Sequence, residues 1–183
     1  MLDEITLLGG AVRLYSPAGS FRPSLDTVMM AASCRAEPGQ RVLDAGCGGG
    51  AAAFCLDWRM RGLSIQGVDI EDESIQAAQE SLSLNSVKGE IFFHSADLHD
   101  YSRTSHTCFD HVMCNPPFED AGAHIASPHT GRARARGHQV PEETLEIWIQ
   151  SCHRALKAGG QFTLIHKADY LDRLLSLISK RFG

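Results

Sequence analysis

The stretch "RVLDAGCGGG", Arg41 to Gly50, decides how this chain is read. Its first half is an apolar run that ends at Asp44. Its second half places glycine at positions 46, 48, 49 and 50. An apolar run breaking into glycines predicts a buried strand and then a tight turn. A helix over 50–61 is expected to follow. Glycines at a strand-to-helix turn let a ligand approach the backbone closely.

The same alternation continues outward. "SIQGVDI" (Ser64–Ile70), "EIFFHSAD" (Glu90–Asp97), "FDHVMCN" (Phe109–Asn115) and "QFTLIHK" (Gln161–Lys167) read as four more strands. Helices are expected between them. Over 71–85, Ile75, Ala78 and Leu82 share one face, and acidic residues crowd the first turn. Over 141–156, Leu145, Trp148, Ile149, Cys152 and Leu156 form an apolar stripe, with Pro141 starting the helix and Gly159-Gly160 ending it. A last amphipathic helix runs from Tyr170 to Phe182. Upstream, 24–34 reads as a helix with Leu25, Val28, Met29 and Ala32 on one face and Ser24 as its cap. Strands separated by helices predict an α/β fold with a doubly wound, mostly parallel sheet.

The bulk numbers fit one domain over 1–183, with an N-terminal hairpin and cap helix in 1–37 and an irregular substrate loop at 119–140. The chain has 183 residues and 43% hydrophobic content, enough for a real core. A net charge of -5 gives no global field for nucleic acid, so any such contact needs a local patch. The six cysteines lack C-x-x-C spacing and read as buried free thiols. His94, His99, His106 and His111 lack metal-ligand spacing, so no metal site is expected. No secretory signal or membrane-length apolar run appears, which predicts a cytoplasmic protein with no membrane partner.

Ligands of doubly wound sheets bind at the carboxyl ends of the strands. Asp44, Asp69, Asp97 and Asn115 all fall there. Asp69 is suited to both ribose hydroxyls of a nucleoside, and Asp97 to an adenine amino group. Ile70 and Leu98, which follow them, are grouped with the same ligand. "DAGCGGG" lacks the G-x-x-x-x-G-K-[ST] pattern, so a phosphate-clamping loop is not expected. An adenosine ligand leaves two cofactors open, NAD and S-adenosylmethionine.

Two motifs choose between them. Asp44, Gly46, Gly48 and Gly50 are spaced D-x-G-x-G-x-G, which resembles the S-adenosylmethionine loop of class I methyltransferases. Asn115-Pro116-Pro117-Phe118 resembles the signature of enzymes that methylate a planar amino nitrogen. Together with "GGAVRLYSPAGSFRPSLDTVMMAA" and "GGQFTLIHKAD", these stretches are similar to the bacterial family that N6-methylates adenine beside the anticodon of a valine tRNA. The resemblance implies a Rossmann-like class I methyltransferase core, S-adenosylmethionine as cofactor and tRNA as partner. It also implies that Asp26 lies near the cofactor. Family members continue into an antiparallel strand pair, so the chain ending at Gly183 is expected to lack the final strands. Phe118 stands where tyrosine is commoner.

An exocyclic amino nitrogen is a poor nucleophile, because its lone pair is delocalised into the ring. The Asn115 side-chain oxygen and the Pro116 carbonyl can each take one N–H and favour a pyramidal nitrogen. The rigid Pro116-Pro117 turn fixes that geometry. Phe118 is expected to stack on the target base, worth ~1–3 kcal/mol. Arg132, Arg134 and Arg136 in "GRARARGH" suit phosphate contact. Alternatives within the class are a release-factor glutamine methyltransferase and a ribosomal-RNA guanine N2-methyltransferase. An inactive cofactor-binding partner subunit is the alternative outside it.

Overall fold

The computed structural model describes residues 2–17, 23–117 and 141–183, with backbone only for 141–144. Strands β3 (Arg41–Ala45), β4 (Ser64–Asp69), β5 (Glu90–Ser95), β6 (Phe109–Cys114) and β7 (Leu156–Leu164) form a parallel sheet ordered β5-β4-β3-β6-β7. Strand order reverses between β3 and β6. Helices α1 (Leu25–Ser33), α2 (Ala51–Arg59) and α3 (Asp72–Ser81) pack on one face, and α4 (Leu98–Thr104), α5 (Pro141–Ala155) and α6 (Leu171–Ile178) on the other. Side chains of β3 alternate accordingly: Val42 enters the first core, while Leu43 and Ala45 enter the second. The expected α/β, doubly wound, parallel architecture is the observed one.

Strands β1 (Leu2–Leu7) and β2 (Val12–Pro17) make an antiparallel hairpin that lies against α3. Side chains at the end of α3 and just beyond it hold the hairpin by its backbone. Asn85 Oδ1 accepts from the Arg13 N–H at 3.0 Å, and Asn85 Nδ2 donates to the Arg13 carbonyl at 2.6 Å. The Tyr15 N–H donates to Ser81 Oγ at 2.8 Å. Ser81 is itself buried and donates to Ala77 O at 2.6 Å. A strand edge that would otherwise be open is thereby satisfied.

Four local expectations are corrected. Helix α1 turns a different face inward: Met30 and Ala31 are buried, whereas Leu25 is 73% and Met29 51% exposed. Ser24 does not cap it. Its hydroxyl donates to Asp26 Oδ2 at 3.3 Å instead of receiving a backbone N–H. Helix α4 was not foreseen, because seven mostly polar residues carry no apolar period. Gly159-Gly160 does not end α5. That helix passes directly into β7, and the glycines sit where the pairing slips from Phe109↔Leu156 to His111↔Gln161. A Cβ on Gly160 would lie 2.9 Å from Leu156 Cδ2 and 3.1 Å from Asp110 O, so a side chain at the bulge would make its neighbours give way.

Candidate cofactor and acceptor site

Asp44 sits at the carboxyl end of β3 and is 1% exposed. Its Oδ2 has no hydrogen-bond partner among the described residues. Burial pushes its carboxyl up to about 7; a hydrogen bond from the Ala53 N–H pulls the other way, and the nearby Asp69 carboxylate adds to the rise. An unpaired buried acceptor is costly and points to a ligand that completes it.

The glycine turn is tied to the end of β4. The N–H groups of Gly46 and Cys47 both donate to Val68 O, at 2.8 and 3.0 Å. The Gly48 N–H donates to Asp69 Oδ2 at 2.8 Å, and the Glu71 N–H to Asp69 Oδ1 at 3.0 Å. Asp69 therefore shapes the turn through one oxygen and starts α3 through the other. Gly50 takes a left-handed φ of 79°, and a Cβ there would lie 2.6 Å from Phe93 Cζ. Its glycine is required by core packing.

A cavity of about 180 Å3 opens beside this turn. Asp44, Gly46, Gly48, Gly49 and Asn115 form its sheet side, and Leu14, Tyr15 and Ser16 of the hairpin form its roof. Asn115 follows β6, the strand paired with β3, and its Oδ1 is buried without a partner among the described residues. Pro116 is buried and Pro117 exposed. The Ile165 N–H donates to Cys114 O at 3.1 Å, so the chain leaving β7 runs alongside the turn.

The structure thus brings together Asp44, Gly46, Gly48 and Asn115 on one cavity. Asp26, Gly50, Asp69, Ile70, Pro116, Pro117, Asp97 and Leu98 do not line it. Asp26 is in the first turn of α1, next to the lining residue Thr27. Asp97 caps α4, its Oδ1 accepting from the His99 and Asp100 N–H groups at 2.9 and 3.2 Å, and Leu98 begins that helix. Phe118, Arg132, Arg134 and Arg136 lie outside the described residues. Sequence reasoning missed Tyr15, Ser16, Thr27 and Ser74, which line the cavity from the hairpin, α1 and α3. The alternation in "VRLYS" marks a strand but carries no sign that it covers a ligand cavity.

Strand order, helix placement and the glycine turn make this the fold of class I methyltransferases. The T. thermophilus 16S rRNA N2 methyltransferase, solved in complex with AdoMet and guanosine, superposes with a TM-score of 0.68 at 24% identity, over 100% of this chain and 46% of that one. The profile of the methyltransferase small domain matches residues 24–131, and the chain belongs to that family. The tRNA1(Val) (adenine(37)-N6)-methyltransferase of Vibrio campbellii is 26% identical over 78% of this chain and 57% of its own length. The ribosomal RNA small subunit methyltransferase C of Colwellia psychrerythraea is 30% identical over 88% of this chain and 40% of its own. The chain spans less than two thirds of the length of these curated relatives.

Proposed function

We propose that this protein binds S-adenosylmethionine and methylates an exocyclic amino nitrogen, adenine N6 of a tRNA near the anticodon. The observation that carries the reading is the pair of buried acceptors, Asp44 Oδ2 and Asn115 Oδ1, without partners among the described residues, on one cavity beside the glycine turn.

The residues present suit the cofactor. Gly48 has open space where a side chain would be, so its backbone can be approached closely, and Asp44 Oδ2 is an acceptor for an ammonium group. Asp69 is the acceptor for ribose hydroxyls. Asp26, Gly50, Ile70, Asp97 and Leu98 complete the proposed donor side by resemblance. When bound, S-adenosylmethionine supplies an electrophilic methyl group. Asn115 Oδ1 and the Pro116 carbonyl take the two N–H groups of the acceptor and aim its lone pair. The Pro116-Pro117 turn keeps them from moving, so alignment does most of the catalytic work. Phe118 stacks on the base. Arg132, Arg134 and Arg136 contact phosphate. A tRNA substrate places the enzyme in the cytoplasm; among the described residues no helix is long and apolar enough to cross a membrane.

Ribosomal-RNA guanine N2 is the second reading, favoured by the Colwellia relative, which is 30% identical. One experiment separates the two. Nucleosides of tRNA and rRNA from a strain lacking the gene are compared by mass spectrometry with the parent strain. Loss of N6-methyladenosine from tRNA supports the first reading. Loss of N2-methylguanosine from rRNA replaces it with the second, and unchanged nucleosides in both pools remove RNA as the substrate.

A further inference from the structure

Gly46, first glycine of the turn, has a left-handed φ of 73°. A Cβ at this position would meet Trp148, 2.6 Å from Cη2 and 2.8 Å from Cζ3. Real Cβ atoms do not approach that closely, so the indole edge lies directly against the Gly46 α-carbon. On its amide side, Gly46 is held by Val68 O at 2.8 Å. The residue is clamped between a carbonyl of β4 and an indole of α5.

Trp148 is partly buried against the second core, whose members include Ala45, Val68, Cys114 and Cys152. Ala45 leads into the glycine turn, and Cys114 leads into Asn115. Cys152 stands one turn after Trp148 on α5 and is fully buried in the same core as Cys114. One stripe of a single helix therefore backs both the turn on the donor side and the turn on the acceptor side. A smaller aliphatic residue at 148 would leave the Gly46 backbone unsupported on that side.

We infer that Trp148 is a positioning residue for the cofactor: its indole holds the glycine turn in the shape that receives the donor. This rests on the turn being the cofactor's, and is independent of which nitrogen is methylated. Binding to a turn already in shape avoids the cost of ordering it.

The chain has two tryptophans, and the other, Trp58, is 55% exposed. In a Trp58→Phe variant, emission reports Trp148 alone. Titration with S-adenosylmethionine, and separately with S-adenosylhomocysteine, is expected to change that emission, saturating at the calorimetric Kd. Calorimetric binding with no change in emission overturns the inference. Trp148→Ala is expected to raise the cofactor Kd about tenfold, with kcat at saturating cofactor reduced less than about threefold and Trp148→Phe recovering part of the loss. A lowered Tm with an unchanged Kd would assign Trp148 a structural role only and overturn it.

A double-mutant cycle adds a sharper test. Gly46→Ala alone meets the indole, whereas Gly46→Ala with Trp148→Ala does not. The double variant is expected to bind the cofactor more tightly than the product of the two single losses, and strict additivity overturns the inference. If Trp148→Ala does not fold, the emission titration decides alone. None of these binding measurements needs RNA, so failure of the acceptor assignment leaves them standing, and the reverse.

Discussion

Asp44 Oδ2 and Asn115 Oδ1 are two buried acceptors without donors among the described residues, at the ends of adjacent strands whose last residues, Ala45 and Cys114, are paired. They border the same cavity at the point where strand order reverses. Two acceptors with no donor between them define what the cavity lacks: N–H groups, preferably cationic. The donor and acceptor halves of the proposed reaction each bring one.

The titration of Asp44 gives the first prediction. Its carboxyl is raised to about 7, so at pH 6 it is mostly protonated. A cationic ligand prefers the ionised form. Affinity for S-adenosylmethionine should therefore rise as pH increases from 5.5 to 7.5, with protons released on binding at the acid end. Calorimetry in buffers of different ionisation enthalpy reads both. In Asp44→Asn the proton release should vanish and affinity should be low throughout.

Asn115→Ala should lower kcat by at least ~10²-fold, the scale of a lost alignment. Cofactor binding should change far less. The pairing of single-turnover methyl transfer with calorimetry distinguishes the two effects. Equal losses in both would move Asn115 from the acceptor side to the donor side.

Asn85→Ala removes the bonds to Arg13 N and O. Stability should fall by roughly 0.5–1.5 kcal/mol per bond, the net worth of hydrogen bonds that water can replace, since both are solvent-exposed. Because Leu14, Tyr15 and Ser16 roof the cavity, the cofactor Kd should rise too. Chemical denaturation and calorimetry on the same preparation check both. A destabilised variant with native affinity would make the hairpin a structural cover only.

His111 supplies a stability prediction with a definite sign. It is 2% exposed, with Nε2 2.7 Å from Thr163 Oγ1, and burial lowers its pKa to about 4. The folded state holds it neutral while the unfolded chain protonates it near 6.5. Its contribution is full above that value and is lost as pH falls toward 4. Asp44 works oppositely: its raised carboxyl favours the folded state at low pH, an effect lost as pH rises through about 7. The Tm difference between His111→Gln and the parent isolates the histidine, and should shrink steadily from pH 7 to pH 4. A pH-independent difference would show that His111 is not neutral by burial.

Residues with strong local signals were legible. The apolar run to Asp44, the glycines after it and the stripe Leu145, Ile149, Cys152 and Leu156 fixed the main sheet and helix α5. Signals made by distance were not. Nothing near Asn85 in sequence says that its amide will hold Arg13, 72 residues away. Trp148 reads as one more apolar stripe residue until Gly46 is seen against it. Helix α4 escaped because its start is set by Asp97, a residue equally suited to a ligand. Gly159-Gly160 misled for a similar reason: glycine ends helices, yet here it relieves crowding between strands.

The hairpin clamp also orders events in time. Residues 12–17 are made before their partners at Ser81 and Asn85, which emerge many residues later. Contacts this distant in sequence form late, because the loop between them must close first. The roof of the cavity is therefore made before the residues that hold it and settles after them, and the ligand cavity is complete only once the segment from α3 to Asn85 has formed.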